Sequence, residues 1–337
     1  IYDSGYGNFH WIVCPLFQAI SLDLGADVIK ALISPVAIKQ KDDGDTALHV
    51  MLRKGDCHDY RAKLEMLTTV LNAWPGATRE KNRFGSTPLH CVCIYHHKSL
   101  EMVMTVLNAW PGAAGEKDNK GTTPLHCVCI YHHESLEMVM AVLNACPAMA
   151  KEKNRRGSTP LHFLCHNTSA SLEMVSAVLN AYPHASRGQD HRGRTPLHEI
   201  CGNSHASLEI VQKVLDEWLK TEENRSAHSV NSVISNIENV LERIIRGDIK
   251  ELLFRLSSLL ERNTQNNQSL KEIMTHFINT NWWNGVWLVI KMYPSVFKTL
   301  HLQTETKAFF LFTAGKRLSL ASVTELIKNE PDLLEGV

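Results

Sequence analysis

The sequence has no excess of charge of either sign. Thirty-five Lys and Arg face 35 Asp and Glu over 337 residues, so no global field draws the chain to nucleic acid or to an anionic membrane. Long apolar runs are also missing. His10 to Leu22 and Trp282 to Tyr293 are about a dozen residues each and are interrupted by Pro15 and Gln18, or by Asn284 and Lys291, whereas a spanning helix needs roughly 20. No membrane span and no nucleic-acid partner are expected. The phosphate loop G-x-x-x-x-G-K-[ST], the motifs G-x-G-x-x-G, G-x-S-x-G and H-E-x-x-H, and the kinase set are all absent, so nothing specifies an enzyme or a cofactor. The sequence starts at Ile1 with no basic stretch followed by an apolar run, and reads as a fragment or processed chain without a secretory signal. Nine cysteines are an odd number in a chain too long to need a disulfide framework. A reducing compartment, cytoplasmic or nuclear, is expected.

What is present is an ordinary folding composition, 44% hydrophobic and 21% charged, in a chain too long for one comfortable core. Two bodies or a repeat array are the alternatives, and the spacing favours the array. Gly44-Asp45-Thr46-Ala47-Leu48-His49 recurs as Gly85-Ser86-Thr87-Pro88-Leu89-His90, then from Gly121, Gly157 and Gly193, at intervals of 41, 36, 36 and 36 residues. Gly5-Tyr6-Gly7-Asn8-Phe9-His10 is read as a degenerate earlier copy. Each Gly suits a turn tip at positive φ. The Thr has N-cap chemistry, Pro fits the first helical position, and His three residues after the Thr reaches back as in a capping box. A second helix is expected after Ser99, with Leu100, Val103, Val106, Leu107 and Trp110 on one face. Pro111 ends it, as Pro75, Pro147 and Pro183 do in the other units. A charged stretch then leads to the next Gly.

This pattern resembles ankyrin repeats, whose usual period is about 33 residues, lengthened here to 36. The resemblance covers residues 44–220 strongly and 1–43 weakly. It implies an all-α fold, a helical solenoid with loops along one edge and first helices lining a concave face. Residues 1–43 are then a degenerate N-terminal repeat, 44–220 an array of five repeats, and 221–337 a C-terminal helical region of degenerate repeat-like pairs. A separate helical bundle is the alternative for that last region. Its evidence is periodic: Val230, Val233, Ile234, Ile237, Val240, Leu241 and Ile244 form one stripe, and Ile249, Leu252, Leu253, Leu256, Leu259 and Leu260 another. Trp287–Tyr293 and Val323–Glu330, each before a Pro, look like eroded second helices.

His90-Cys91-Val92-Cys93 with His96-His97, repeated from His126, carries zinc-ligand chemistry. Helical residues two apart point about 200° from each other, however, so Cys91 and Cys93 do not share one ion easily, and buried structural cysteines are expected. The charged loops have net charges of +2, 0, +3 and +2, about +7 along one edge. Within them Arg83, Lys120, Arg156 and Arg192 are read as one equivalent position in successive loops, forming a basic ladder, joined by Arg155, His191 and Arg194. Tyr95 and Tyr131, read as exposed late in two first helices, are candidate anchors. Residues 85–111 and 121–147 match at 23 of 27 positions. The expected function is a monomeric, non-enzymatic scaffold that binds a protein partner with an acidic segment through these residues, with no metal and no cofactor. Two alternatives stay open: a targeting module of a larger enzyme or channel, and a thiol or metal sensor using the Cys-Val-Cys sites.

Overall fold

The computed structural model describes residues 14–54, 60–96, 99–131, 135–240, 245–261, 267–293, 311–312, 315–316 and 320–329. The fold is all-α; the described strands are two-residue segments, Lys41–Asp42 and Asp45–Thr46, paired antiparallel about a turn. Two compact units divide the chain, 1–193 and 194–337.

In the first unit the helices come in pairs: α1 (Pro15–Leu22) with α2 (Ala26–Leu32), α3 (Ala47–Arg53) with α4 (Tyr60–Ala73), α5 (Pro88–Tyr95) with α6 (Leu100–Ala109), α7 (Pro124–Tyr131) with α8 (Leu136–Ala145), and α9 (Pro160–His166) with α10 (Leu172–Ala181). Each odd helix packs on the next odd one and each even helix on the next even one, giving two layers. The degenerate motif at Gly5 to His10 lies outside the described residues, although α1 and α2 pack on α3 and α4 as an earlier pair.

The local causes are those of the sequence pattern. Gly44, Gly85, Gly121, Gly157 and Gly193 all take positive φ, between 71° and 82°, where a Cβ is strained. Thr46, Thr87, Thr159 and Thr195 cap their helices in reciprocal capping boxes with His49, His90, His162 and His198. Ser99, Ser135, Ser171 and Ser207 accept from the backbone N–H three residues on, each at 3.3 Å. The residue before each helix-ending Pro leaves the helical region. Trp74, Trp110, Cys146 and Tyr182 all sit at φ near −150°, and a one-turn 3-10 segment follows. The Trp74 and Trp110 rings lie over Gly76 and Gly112, where a Cβ would meet the indole nitrogen at 2.9 and 2.8 Å. Leu89, Val92, Val103 and Val106, and their counterparts Leu125, Val128, Val139 and Val142, are buried. Such side chains stabilise a fold by about 1.5–3 kcal/mol each.

The second unit opens with the fifth copy of the motif: α11 (Pro196–Cys201), α12 (Leu208–Trp218), α13 (Ala227–Ser235), α14 (Gly247–Leu260), α15 (Asn267–Asn279), α16 (Trp283–Met292) and α17 (Leu320–Asn329). Here α11 packs on α12 and α13, and α12 and α13 on α14. The alternation of first and second helices therefore continues past the last Thr-Pro-Leu-His. The stripe expected over 230–244 is not one helix. It gives way after Ser235 to a π turn, Asn236–Val240, and residues 241–244 lie outside the described set. Arg246 ties the pairs together by donating to the Ala206 carbonyl at 2.6 Å.

Candidate functional site

The loop tips of the first unit form a continuous hydrogen-bonded edge. An Asx side chain three residues before the turn Gly closes the tips at Gly85, Gly121, Gly157 and Gly193. Asn82 Oδ1 accepts from the Phe84 and Ser86 N–H groups, Asp118 Oδ1 from Lys120 and Thr122, and Asn154 Oδ1 from Arg156 and Ser158, all within 2.8–3.1 Å. Asp190 holds the Arg192 N–H in the same way at 2.8 Å. Neighbouring tips are then joined by one repeated bond: Asn119 N–H to the Phe84 carbonyl, Arg155 to Lys120 and His191 to Arg156, at 2.8, 2.8 and 2.9 Å. Short polar side chains bonding their own backbone are a known turn device, and Asn or Asp at this spacing is visible in the sequence, though the charge pattern masks it.

A second link runs deeper. The Nδ1 atoms of His49, His90 and His126 take the backbone N–H of their capping Thr at 3.2–3.3 Å, which leaves the proton on Nε2. That Nε2–H donates to a carbonyl of the next unit: Ser86 at 3.0 Å, Thr122 at 3.0 Å and Ser158 at 3.2 Å. Burial lowers the pKa of His90 and His126 to about 4, against the opposing pull of these carbonyls. The motif histidines are neutral structural links.

Charges along the edge are less uneven than their count implies. Lys41 pairs with Glu80 at 2.6 Å, Lys81 with Glu116 at 2.7 Å and Lys117 with Glu152 at 2.5 Å, a run of rungs from one loop to the next. It stops at Lys153. The acidic position of the following loop is Gly188, and the Lys153 ammonium donates instead to the Gln189 carbonyl at 2.8 Å. Net positive charge therefore gathers in residues 151–193 rather than along the whole edge.

The candidate ladder residues separate accordingly. Arg83 is ion-paired with Asp43 and stacks over the Phe84 ring at 4.6 Å. It stands one position earlier than Lys120, Arg156 and Arg192, because the repeated inter-tip bond places Phe84 in their register. Lys120, Arg155, Arg156, His191 and Arg192 are exposed. Among the described residues the side chains of Arg155, Arg156 and Arg192 make no hydrogen bond or ion pair. Arg194 belongs to the second unit, where it pairs with the buried Glu199 at 2.7 Å. Tyr95 and Tyr131 end α5 and α7 and are half-buried rather than exposed.

Cys91, Cys93, Cys127 and Cys129 are buried free thiols. Burial raises all four, to about 12 for Cys91 and Cys129, which disfavours the thiolate that nucleophilic or metal chemistry requires. His96 is also buried and donates to the Leu52 carbonyl at 3.0 Å. Among the described residues no group of three or more His, Cys, Asp or Glu is placed to hold a metal ion, and no helix is long and apolar enough to cross a membrane. Comparison with protein-family models finds no match, and comparison with curated proteins finds none either.

Proposed function

We propose that the chain is an ankyrin-type, non-enzymatic scaffold that binds a protein partner through an acidic segment laid along the loops of residues 151–193. One observation carries this reading: the tips are held in fixed register by the Phe84, Lys120 and Arg156 carbonyls, while Arg155, Arg156 and Arg192 keep exposed guanidinium groups that make no ion pair among the described residues. A preorganised row of Arg suits carboxylates, because its planar fork binds them bidentately and little ordering is lost on contact. In the earlier loops Lys41, Lys81, Lys117 and Arg83 are occupied by the Lys–Glu rungs and the Asp43 pair.

The test compares proteins retained on the immobilised parent chain with those retained on R155E/R156E/R192E and on a control, K41E/K81E. The triple variant is expected to lose a defined set of partners that the control keeps, and those partners should elute at moderate salt. Exposed charges act mainly on association rate and salt dependence, so for a recovered partner the triple variant should associate about tenfold more slowly. Retention of the same set by all three proteins, with helical content intact, would refute the proposal.

A further inference from the structure

The second unit holds a cleft of about 310 Å³ bordered by α12, α16 and the segment after α12. This lies near the lower end of the roughly 300–1,000 Å³ usual for small-molecule sites. Its apolar surface comes from Leu219, Trp282, Trp287 and Leu288. Trp282 is fixed on three sides. Its indole N–H donates to Asp216 Oδ1 at 2.8 Å, the Phe277 ring meets it edge-on with centroids 4.7 Å apart, and Gly285 leaves the space its ring fills, since a Cβ there would come within 2.2 Å. Asn284 donates to the other Asp216 oxygen at 2.5 Å. Both oxygens of that carboxylate are therefore already engaged by protein donors.

The other charged groups of the cleft divide into engaged and unengaged. Glu217 receives the Lys220 ammonium at 2.8 Å, and Arg225 donates to the Leu219 carbonyl at 2.6 Å, capping the end of α12. Lys213 and Lys291 make no hydrogen bond or ion pair among the described residues, and the indole N–H of Trp287 has no partner there either. Two ammonium groups and an N–H donor thus border an aromatic wall. A bare inorganic anion would leave the wall unused, and an uncharged ring would leave the ammonium groups unmatched.

We propose that this cleft binds a small organic anion with a flat apolar body, of the aromatic carboxylate class, its ring against Trp287 and Leu288 and its carboxylate toward Lys213 and Lys291. The site is separate from the loop edge of the first unit and does not depend on the scaffold reading. Naphthoate is the probe, titrated into the full chain by calorimetry beside the isosteric neutral naphthalenemethanol and inorganic phosphate. Naphthoate should bind, with the other two about tenfold weaker or undetectable, and it should shift the Trp287 indole N–H resonance. The double variant K213Q/K291Q, changed at the half-buried Lys213 and the exposed Lys291, should weaken naphthoate about tenfold while keeping the parent's helical content, and Trp287→Phe should weaken it by removing the N–H donor. The proposal is overturned if naphthoate fails to bind, if the neutral alcohol binds equally well, or if K213Q/K291Q binds like the parent.

Discussion

Gly85 and Gly193 share one backbone conformation, φ +73° and +74°, in different surroundings. A Cβ on Gly85 would lie 2.8 Å from the Asn119 backbone nitrogen, whereas nothing lies within 4 Å of one on Gly193. Gly193→Ala should lose about 1 kcal/mol to strained φ alone, and Gly85→Ala should lose more, because the repeated bond from Asn119 to Phe84 must also shift. Urea denaturation midpoints check the order; equal losses would argue against close packing of the tips. The motif histidines make a second residue-level prediction. His90 and His126 titrate near 4 when folded and near 6.5 when unfolded, so the unfolded chain takes up protons first. Stability should fall as pH drops from about 6.5 to about 4 and then level off, by on the order of 3 kcal/mol per histidine. His126→Gln keeps a capping-box residue at that position but loses the titrating ring and the bond to Ser158. Melting temperatures should show it less stable than the parent at pH 7.5, with a shallower acid decline.

Among the loops, the interrupted run of Lys–Glu rungs makes Gly188 the informative position. Its φ of −59° is open to any residue, and a Cβ there meets its nearest atom, the Ala185 carbonyl oxygen, at 3.4 Å. Gly188→Glu should therefore be accommodated, pair with Lys153 and raise stability by about 0.5–1 kcal/mol, mainly by restricting the unfolded chain. It should also weaken capture of acidic partners, which a side-by-side binding assay would detect. This rung pattern was not legible in the sequence, because a count of charges within one loop says nothing of a carboxylate 35 residues away such as Glu152 for Lys117. Exposure of Tyr95 and Tyr131 was misread for a related reason, since burial at the end of a helix depends on the neighbouring pair. The helix pairs themselves were legible because their signals are local: a positive-φ Gly, a capping Thr, a Pro at the start and another past the end. Beyond residue 220 those punctuation marks thin out and only periodicity remains, which predicts helices but not the π turn at Asn236–Val240. The cleft was invisible, because Asp216 and Trp282 are 66 residues apart and belong to no motif.

Across the described residues, helices follow one another, with the described strands confined to the short hairpin at Lys41–Thr46. Circular dichroism should accordingly be dominated by helix. The histidine links have a consequence for how the first unit tolerates changes of length. His49 donates to Ser86, His90 to Thr122 and His126 to Ser158, so these blocks present the same donor forward and the same acceptor backward. Each 36-residue block is thus interchangeable at its junctions, as a tile whose two edges match those of its neighbours. Removing residues 85–120, which joins Phe84 to Gly121, would set the Thr122 carbonyl where Ser86 stood, Glu152 where Glu116 stood and the Arg155 amide where Asn119 stood. The shortened chain is expected to fold with its helical signal reduced in proportion, whereas removing 18 residues, half a block, should abolish cooperative unfolding. Gain and loss of whole blocks is then a change the molecule can absorb without redesigning any contact, and the near-identity of residues 85–111 and 121–147 is the trace such a duplication leaves.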